Sequence, residues 1–319
     1  MDVRIGLIVA GLVFAVATPC HAAGVTAGSL IESTATASYD SAGGRGSVSS
    51  NRVALRVDEV IDATLTLLDS GPVGLAGDKA VLAFSVVNTG NGSEAMRLST
   101  RPVAGSDFDP VVKAIAIDSN GNGVFDEGVD LLIQPGAATP EIAPDTSLRV
   151  FVIAGASGSP ADGQQGRVTL LAEAVTGTGT PGTALAGQGS AGVDAIIGSS
   201  GGRAQAIGSL VIQSATVSIV KSATISDPFG GNEPVPGAFV TMTLNTQVTG
   251  SGAVSNLVVT SPVPAGTRYV ASTLTLDGAS LSDIADTDGG SVNKDFVEVR
   301  LGNLAGGTSR SIAFRLQIQ

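Results

Sequence analysis

The C-terminal stretch SRSIAFRLQIQ, Ser309 to Gln319, decides the fold class because apolar and polar side chains alternate along it. Successive side chains of a β-strand point to opposite faces of a sheet, whereas a helix repeats every 3.6 residues. The apolar positions, on one face, are Ile312, Phe314, Leu316 and Ile318. The polar positions, on the other face, are Ser311, Arg315, Gln317 and Gln319. The pattern therefore predicts a strand that is buried on one side.

The same two-residue rhythm recurs upstream, in the segments TATASYD, RVALRV, ATLTLL, ATVSIV, VTMTL and DFVEVRL. Between these segments lie SAGGRG, NTGNGS, GSGAVS and PAGT, whose Gly and Asn residues accept the positive φ angles of tight turns. Helical periodicity is nearly absent after the N-terminal segment. The chain is therefore predicted to be all-β.

An internal repeat organises the strands. The run that begins at Ala63 matches a run that begins at Ala215, and each passes through two predicted strands to a G-x-G turn. The turn glycines are Gly90 and Gly92 in the first run and Gly250 and Gly252 in the second. Strands and turns at this cadence predict tandem immunoglobulin-like Greek-key sandwiches.

The first residues have the pattern of an export signal. An apolar run from Ile5 to Ala17 follows Arg4 and is too short to span a bilayer, which takes roughly 20 residues. We predict cleavage after Ala22 or Ala23. Cleavage would remove Cys20 and His21, the only cysteine and histidine of the chain. The mature chain would then lack the thiolate and imidazole groups of common zinc sites and of Cys–His or Ser–His–Asp nucleophiles.

The charge and composition of the chain limit the classes of molecule that it is expected to bind. The net charge is -11, and charged residues make up 14% of the chain. Lys and Arg supply the attraction to nucleic acids and anionic membranes, so neither is an expected partner. The strand-forming composition is typical of packed sheets rather than of disorder.

Four regions are predicted. They are a signal peptide (1–23), an N-terminal sandwich with a leading hairpin and a calcium-type loop (24–175), a Gly-rich connection (176–214) and a C-terminal sandwich (215–319). The connection is interpreted as partly ordered, and a hairpin between GVDAIIGS and SLVIQ is the alternative to a free linker. The leading hairpin, around SLIESTATASYD and RVALRV, is a candidate to complete the first sandwich.

The C-terminal region resembles the bacterial surface conserved repeat domain, known as domain of unknown function eleven. The matching positions are Lys221, Pro236 with Gly237, and Pro264 with Gly266. Two features depart from the family pattern: Ser261 stands where an acidic residue is usual, and LNTQVTGSG replaces an N-x-G turn. The resemblance covers roughly residues 215–319 and more weakly 63–175. It implies an immunoglobulin-like module of secreted or cell-surface proteins, and it implies no reaction.

The stretch DSNGNGVFDEGVD, Asp118 to Asp130, has the oxygen spacing of a calcium loop. The predicted ligands are Asp118, Asn120, Asn122, the carbonyl of Val124, Asp126 and Asp130. Val129 stands at the twelfth position, where such loops need a bidentate carboxylate, and the flanking residues are strand-like. A polar turn without metal is the competing interpretation, because Asp, Asn and Gly dominate turns. Calcium is therefore a predicted structural cofactor whose role would be to stiffen the loop.

Other candidates are weaker. Asp283, Asp286 and Asp288 match no metal spacing and are interpreted as a polar loop. Lys221 is interpreted as an edge or snorkelling lysine, because the last strand has no Asn or Asp to form an isopeptide bond with it. A carboxylate-based hydrolase using Asp107 with Asp109, or Glu127 with Asp130, is a remote alternative.

We therefore predict an exported protein without catalytic activity. Its role would be structural or interaction-based at the cell surface, in the periplasm or outside the cell, with surface proteins or envelope components as partners. The alternative is a calcium-dependent module that binds a glycan or matrix component.

Overall fold

The regular elements are almost all β-strands, which confirms the all-β prediction. The computed structural model describes residues 24–41, 44–75, 77–134 and 136–319, and within them the helical structure is the 3-10 turn Ser190–Gly192. The predicted signal peptide, with Cys20 and His21, lies outside the described residues.

Four short strands near the N-terminus form a two-stranded antiparallel ribbon, in which β1 pairs with β4 and β2 pairs with β3. Its strands are β1 (Leu30–Ser33), β2 (Thr36–Ser41), β3 (Gly44–Ser49) and β4 (Val53–Arg56). The described part of the ribbon is almost entirely exposed. The predicted hairpin is therefore present, but its strands do not join the sheets of the first sandwich.

The first sandwich has two main sheets and a small third one. Its strands are β5 (Glu59–Ile61), β6 (Ala63–Leu67), β7 (Val73–Leu75), β8 (Ala80–Asn88), β9 (Met96–Pro102), β10 (Pro110–Ile117), β11 (Leu131–Ile133), β12 (Ser147–Ala156), β13 (Gln165–Ala174), β14 (Ala184–Leu185), β15 (Ala195–Ile197) and β16 (Arg203–Ile212). The sheet orders are β11-β10-β12-β8-β6, β7-β16-β13-β9 and β14-β15-β5. With β6, β8, β9, β10, β12, β13 and β16 as strands A to G, the main sheets have the A-B-E-D and C-F-G order of an immunoglobulin constant-type domain.

Apolar side chains from both main sheets fill the space between them. The largest buried ones are Phe84, Leu82, Met96, Leu170 and Leu210, all essentially inaccessible to solvent. They occupy alternate positions of their strands, as the strand β8 shows by alternating buried and half-buried residues along its whole length. Packing alone therefore holds this sandwich together.

The second sandwich repeats the beginning of the first. Its strands are β17 (Thr216–Ser226), β18 (Phe239–Thr249), β19 (Ala253–Pro262), β20 (Thr267–Tyr269), β21 (Thr275–Leu276), β22 (Ala279–Ser280), β23 (Gly290–Val292), β24 (Phe296–Ala305) and β25 (Ser309–Ile318). In both copies of the repeat the first strand pairs with the second, and the third strand lies in the opposite sheet. Ile312, Phe314 and Leu316 of β25 are buried, as the alternation predicts.

Residues 176–214, predicted to be a Gly-rich connection, contain a full strand of the first sandwich. Strand β16 pairs along its length with β13 and, in parallel, with β7. Small residues hid this strand in the sequence, since Gly208 leaves the space that Leu82 and Phe84 occupy; a Cβ at Gly208 would lie 2.7 Å from a Leu82 methyl group. The alternative hairpin pairing also differs, because β15 pairs with β5 and β14 rather than with β16.

The two sandwiches meet at a short junction. Only Gln213 to Ala215 separate β16 from β17. The Asp162 carboxylate, on the loop between β12 and β13, accepts hydrogen bonds from the Ser214 and Ser251 amides at 2.8 and 2.9 Å and from the Ser251 hydroxyl at 2.7 Å. These bonds lower the pKa of Asp162 below its ordinary value, the Ser214 amide contributing most. One carboxylate thus ties the first sandwich to the second.

Candidate metal centre

The Asp118 loop, residues 118–130, folds back over the outer face of the first sheet. Phe125 packs edge-on against Phe151 with ring centroids 6.1 Å apart, above a small apolar cluster that includes Ala116 and Ile153. Residues Val150 to Ala154 of β12 are consequently buried on both faces of the sheet. The loop is therefore a flap that closes one side of the sandwich.

Asp118 organises the start of this flap. Its side chain is 3% exposed, and its two carboxylate oxygens accept hydrogen bonds from the amides of Gly121 at 2.7 Å and Gly123 at 2.9 Å. Both glycines have positive φ, 71° and 83°, which residues with a Cβ adopt only with strain. The glycines of the motif are thus required by the turn itself.

The two asparagines converge on Asp126. The side-chain amides of Asn120 and Asn122 donate hydrogen bonds to one oxygen of Asp126 at 2.9 and 2.6 Å. Their own carbonyl oxygens accept the amides of Asn122 and Val124. The amide of Asn120, followed by that of Asn122, lowers the pKa of the Asp126 carboxyl.

Asp130 closes the flap. It is 6% exposed and accepts hydrogen bonds from the amides of Ser119 at 3.0 Å and Asp126 at 2.8 Å. Val129, which stands at the usual position of a bidentate ligand, is exposed to solvent. The structure thus brings Asp118, Asn120, Asn122, Val124, Asp126 and Asp130 into one loop.

The oxygen atoms of this loop are ligands that suit a hard cation, but a positively charged side chain already lies beside the loop. Carboxylate, amide and carbonyl oxygens are the ligands that Ca²⁺ takes. The Arg149 guanidinium lies 3.6 Å from Asp118. In the described part of the chain, no three His, Cys, Asp or Glu side chains form a group that could hold a metal ion. A calcium ion would therefore depend on the oxygens of Asn120, Asn122 and the Val124 backbone, with the two amides turned from their present orientation.

The other acidic candidates serve as loop anchors. Asp107 accepts the Gln165 amide, and Glu127 forms an ion pair with Lys79 at 3.0 Å. Asp283 accepts the Tyr269 hydroxyl at 2.7 Å and the Ser272 amide. Each of these three carboxylates therefore has a structural partner in the loops.

Three acidic residues that the sequence did not single out anchor the excursion between β13 and β16, residues 175–202. Glu94 accepts the amides of Val175 and Thr176 at its start, and Glu59 accepts the Ser190 amide near its middle. Asp62 accepts the Ser200 amide and the Ser199 hydroxyl near its end. The excursion is rich in Gly, Ala, Ser and Thr, and the buried Glu59 and Glu94 together with the half-buried Asp62 hold it at three points.

Glu59 and Glu94 are buried at the same end of the sandwich, 2% and 4% exposed. One oxygen of Glu94, Oε2, is buried without a hydrogen-bond partner among the described residues. Burial raises the pKa of Glu94, and the nearby charge of Glu59 adds to the rise, against the lowering effect of the amides that bind Oε1. A carboxyl in this position favours its protonated form.

A single asparagine fixes the root of the ribbon. The Asn91 side chain accepts the Val60 amide at 2.6 Å and donates to the carbonyls of Val25 and Asp58 at 3.0 Å each. Its backbone carbonyl accepts the Ala27 amide at 3.0 Å. Asn91 lies between Gly90 and Gly92, in the G-x-G turn of the first repeat.

In the second sandwich, the structure gives a physical reason for the family-like motif. Gly237 directly follows Pro236, and Gly266 lies two residues after Pro264. Both glycines have positive φ, 86° and 79°. Lys221, on the edge strand β17, donates a hydrogen bond to the Ser261 hydroxyl at 2.9 Å. The charged ammonium of Lys221 is thus bound by the neutral hydroxyl of Ser261.

In the described part of the chain, no helix has the length and apolar character needed to cross a bilayer. No family model matches the chain. No curated protein matches it either.

Among solved structures, the chain is similar to the C-terminal domain of BspA, an AgI/II polypeptide of Streptococcus agalactiae. The identity is 10%, the match covers 81% of this chain and 91% of that one, and the TM-score is 0.33. A second structure of that domain gives 80%, 91% and 0.33. The native conformation of E. coli alpha-2-macroglobulin matches at 13% identity and a TM-score of 0.25, covering 74% of this chain and 12% of that one. TM-scores this low do not establish a shared fold.

Proposed function

We propose that this is an exported structural or interaction protein, without a catalytic role, that acts at the cell surface, in the periplasm or outside the cell. The observation that supports the proposal best is the ribbon, residues 30–56. It is rooted on the first sandwich through Asn91 and presents apolar side chains to solvent. Exposed apolar patches with a polar border are typical of interaction sites.

A comparison of two ribbon variants in the producing cells tests the proposal. Val48→Glu places a charge among the apolar side chains of the ribbon, whereas Ser47→Glu places the same charge on the neighbouring residue. Cells are separated into cytoplasm, periplasm, outer membrane and medium, and the protein is measured in each fraction. We expect Val48→Glu to change the distribution and Ser47→Glu to leave it unchanged. Recovery of all forms from the cytoplasm would contradict the proposed export.

The Asp118 loop has a supporting role in this proposal, as a flap that calcium stiffens. Asp118, Asn120, Asn122, Val124, Asp126 and Asp130 would hold the ion, which supplies positive charge at the centre of the loop. Few carboxylates and the nearby Arg149 favour weak binding, with a dissociation constant on the order of 10⁻⁴ to 10⁻³ M, as in extracellular modules.

Calorimetry with calcium tests the flap. We expect binding heat at millimolar calcium and a higher unfolding temperature, both lost in Asp126→Asn and kept in the control Asp109→Asn, an exposed acid of another loop. The absence of heat at millimolar calcium would identify the loop as a polar turn.

A calcium-dependent module for a glycan or matrix component is the second candidate, favoured by the oxygen spacing of the same loop. It predicts that purified protein is retained on polysaccharide or cell-wall fractions with calcium, and that a chelator or Asp126→Asn releases it. Retention that is insensitive to both changes would exclude this candidate.

A further inference from the structure

The two faces of the ribbon differ in polarity. Side chains alternate between the faces along each strand, and directly opposed residues share a face. The mainly apolar face carries Ile31, Ser33, Ala37, Tyr39, Val48, Val53 and Leu55. The opposite, mainly polar face carries Leu30, Glu32, Ala54 and Arg56 in the β1–β4 part and Thr36, Ser38, Asp40, Arg45, Ser47 and Ser49 in the β2–β3 part. The Tyr39 ring lies over Gly46, where a Cβ would be 2.5 Å from it, and so extends the apolar face toward the tip.

This apolar face is uncovered. Its Ile31, Tyr39, Val48, Val53 and Leu55 side chains are each between 48% and 63% exposed. A two-stranded ribbon is marginally stable in water by itself and becomes stable when a face packs against another layer. The amphipathic pattern is that of a half-buried sheet, so the ribbon requires a second layer that this chain does not supply within its described residues.

The root of the ribbon fixes where that layer must lie. Four hydrogen bonds of Asn91 hold the segments before β1 and after β4 on the first sandwich. The side chain of Arg56 also donates to the Gly28 carbonyl at 3.1 Å. A segment held at both ends keeps its faces oriented, which lowers the entropy cost of packing against a partner.

We infer that the layer is the same face of a second copy of this chain, which rests on the proposed interaction role and names its partner. Two copies related by a two-fold axis present identical patches to one another. The chain carries a net charge of -11, but the ribbon carries three arginines against Glu32 and Asp40. Its acids are paired internally, Glu32 with Arg52 at 3.0 Å and Asp40 with Arg45 at 3.2 Å. Glu32 and Asp40 lie on the face opposite the apolar one, so two apolar faces can meet without burying either acid.

The size of the face sets the strength of the pairing. From Leu30 to Ser41, at about 3.3 Å per residue, the ribbon is about 40 Å long. With two strands side by side, each face offers roughly 400 Å², about half of what a partner contributes to a standard interface. The pair is therefore a dimer that dissociates on dilution.

Sedimentation velocity over a series of concentrations tests the inference on the whole mature chain. We expect wild type and Ser47→Glu to move from monomer to dimer as concentration rises, and Val48→Glu to stay monomeric. Circular dichroism and thermal unfolding of each variant check that the sandwiches are intact, since neither residue lies in a core.

Two results would overturn the inference. One is a wild-type chain that stays monomeric throughout; the other is a dimer that Val48→Glu leaves unchanged. If the wild type is monomeric while Val48→Glu still alters the distribution in cells, the partner is another molecule and the proposed function stands. If neither measurement responds to Val48→Glu, both proposals are wrong.

Discussion

At the scale of single residues, several glycines and polar side chains are explained by one contact each. Gly208 lies in the centre of strand β16, against Leu82 and Phe84 of the opposite sheet. Lys221 and Ser261 join the two sheets of the second sandwich. Neither contact follows from the sequence, because each one joins residues that are distant along the chain.

Gly208→Val should destabilise the first sandwich by about 1 to 3 kcal/mol, because the added methyl groups must displace fully buried side chains. Gly71→Val is the matched control, since open space surrounds the Cβ position of this exposed glycine. Denaturant unfolding of both variants measures the difference. Equal losses of stability would mean that Gly208 is not required by packing.

The Lys221–Ser261 hydrogen bond should contribute about 0.5 to 1.5 kcal/mol, because solvent around the exposed Lys221 weakens the contribution of its charge. A double-mutant cycle with Lys221→Met, Ser261→Ala and the double variant isolates this energy from the separate costs of each change. Unfolding free energies that simply add would show that the two residues do not interact.

At the scale of elements, strands with a clear alternation of large apolar and polar residues were predicted from the sequence. Strands in which small residues replace the large apolar ones were not. Strand β25 was predicted from its side chains alone, since Ile312, Phe314 and Leu316 are large and regularly spaced. Only the end of strand β16, within SLVIQ, was considered as a strand, in the alternative hairpin; its first half was missed because its Ala and Gly residues give little apolar contrast. The Asp118 loop was placed correctly between strands, but its folding over Phe151 depends on Phe125, which no spacing rule singles out.

The excursion at residues 175–202 should loosen as pH rises. The folded-state pKa of Glu94 is raised above the ordinary value of 4.5, so the folded protein holds this proton more tightly than the unfolded chain. The stabilisation is therefore complete below about 4.5 and is lost as pH rises through the raised pKa. Other charged residues belong to the strands and turns around Glu59 and Glu94. Asp58 and Asp62 border strand β5, and Asp194 precedes strand β15. Arg97 on β9 lies opposite Glu173 on β13.

Glu94→Gln separates this effect from other titrations. An amide in place of the carboxyl group does not titrate, so the variant should lose the pH dependence of the excursion. Hydrogen exchange of residues 175–202, measured at several pH values with Glu173→Gln as control, gives the readout. Identical pH dependence in wild type and Glu94→Gln would remove Glu94 as the cause.

At the scale of the whole molecule, the Asp162 clamp should hold the two sandwiches in one orientation. Asp162→Ala removes three hydrogen bonds to Ser214 and Ser251 without touching either core. Small-angle X-ray scattering should show a wider spread of shapes for this variant, and thermal unfolding should show that its stability is unchanged. Scattering curves that superimpose would show that the short junction itself fixes the orientation.

The central claim is that a second protein layer covers the apolar face of the ribbon in the cell. Cysteine labelling tests it most directly, because the predicted mature chain has no cysteine. Val48→Cys and Ser47→Cys are treated with a small maleimide in intact cells and as dilute purified protein. We expect both to react when purified, and only Ser47→Cys to react quickly in cells. Equal and rapid reaction of both cysteines in cells would contradict the account.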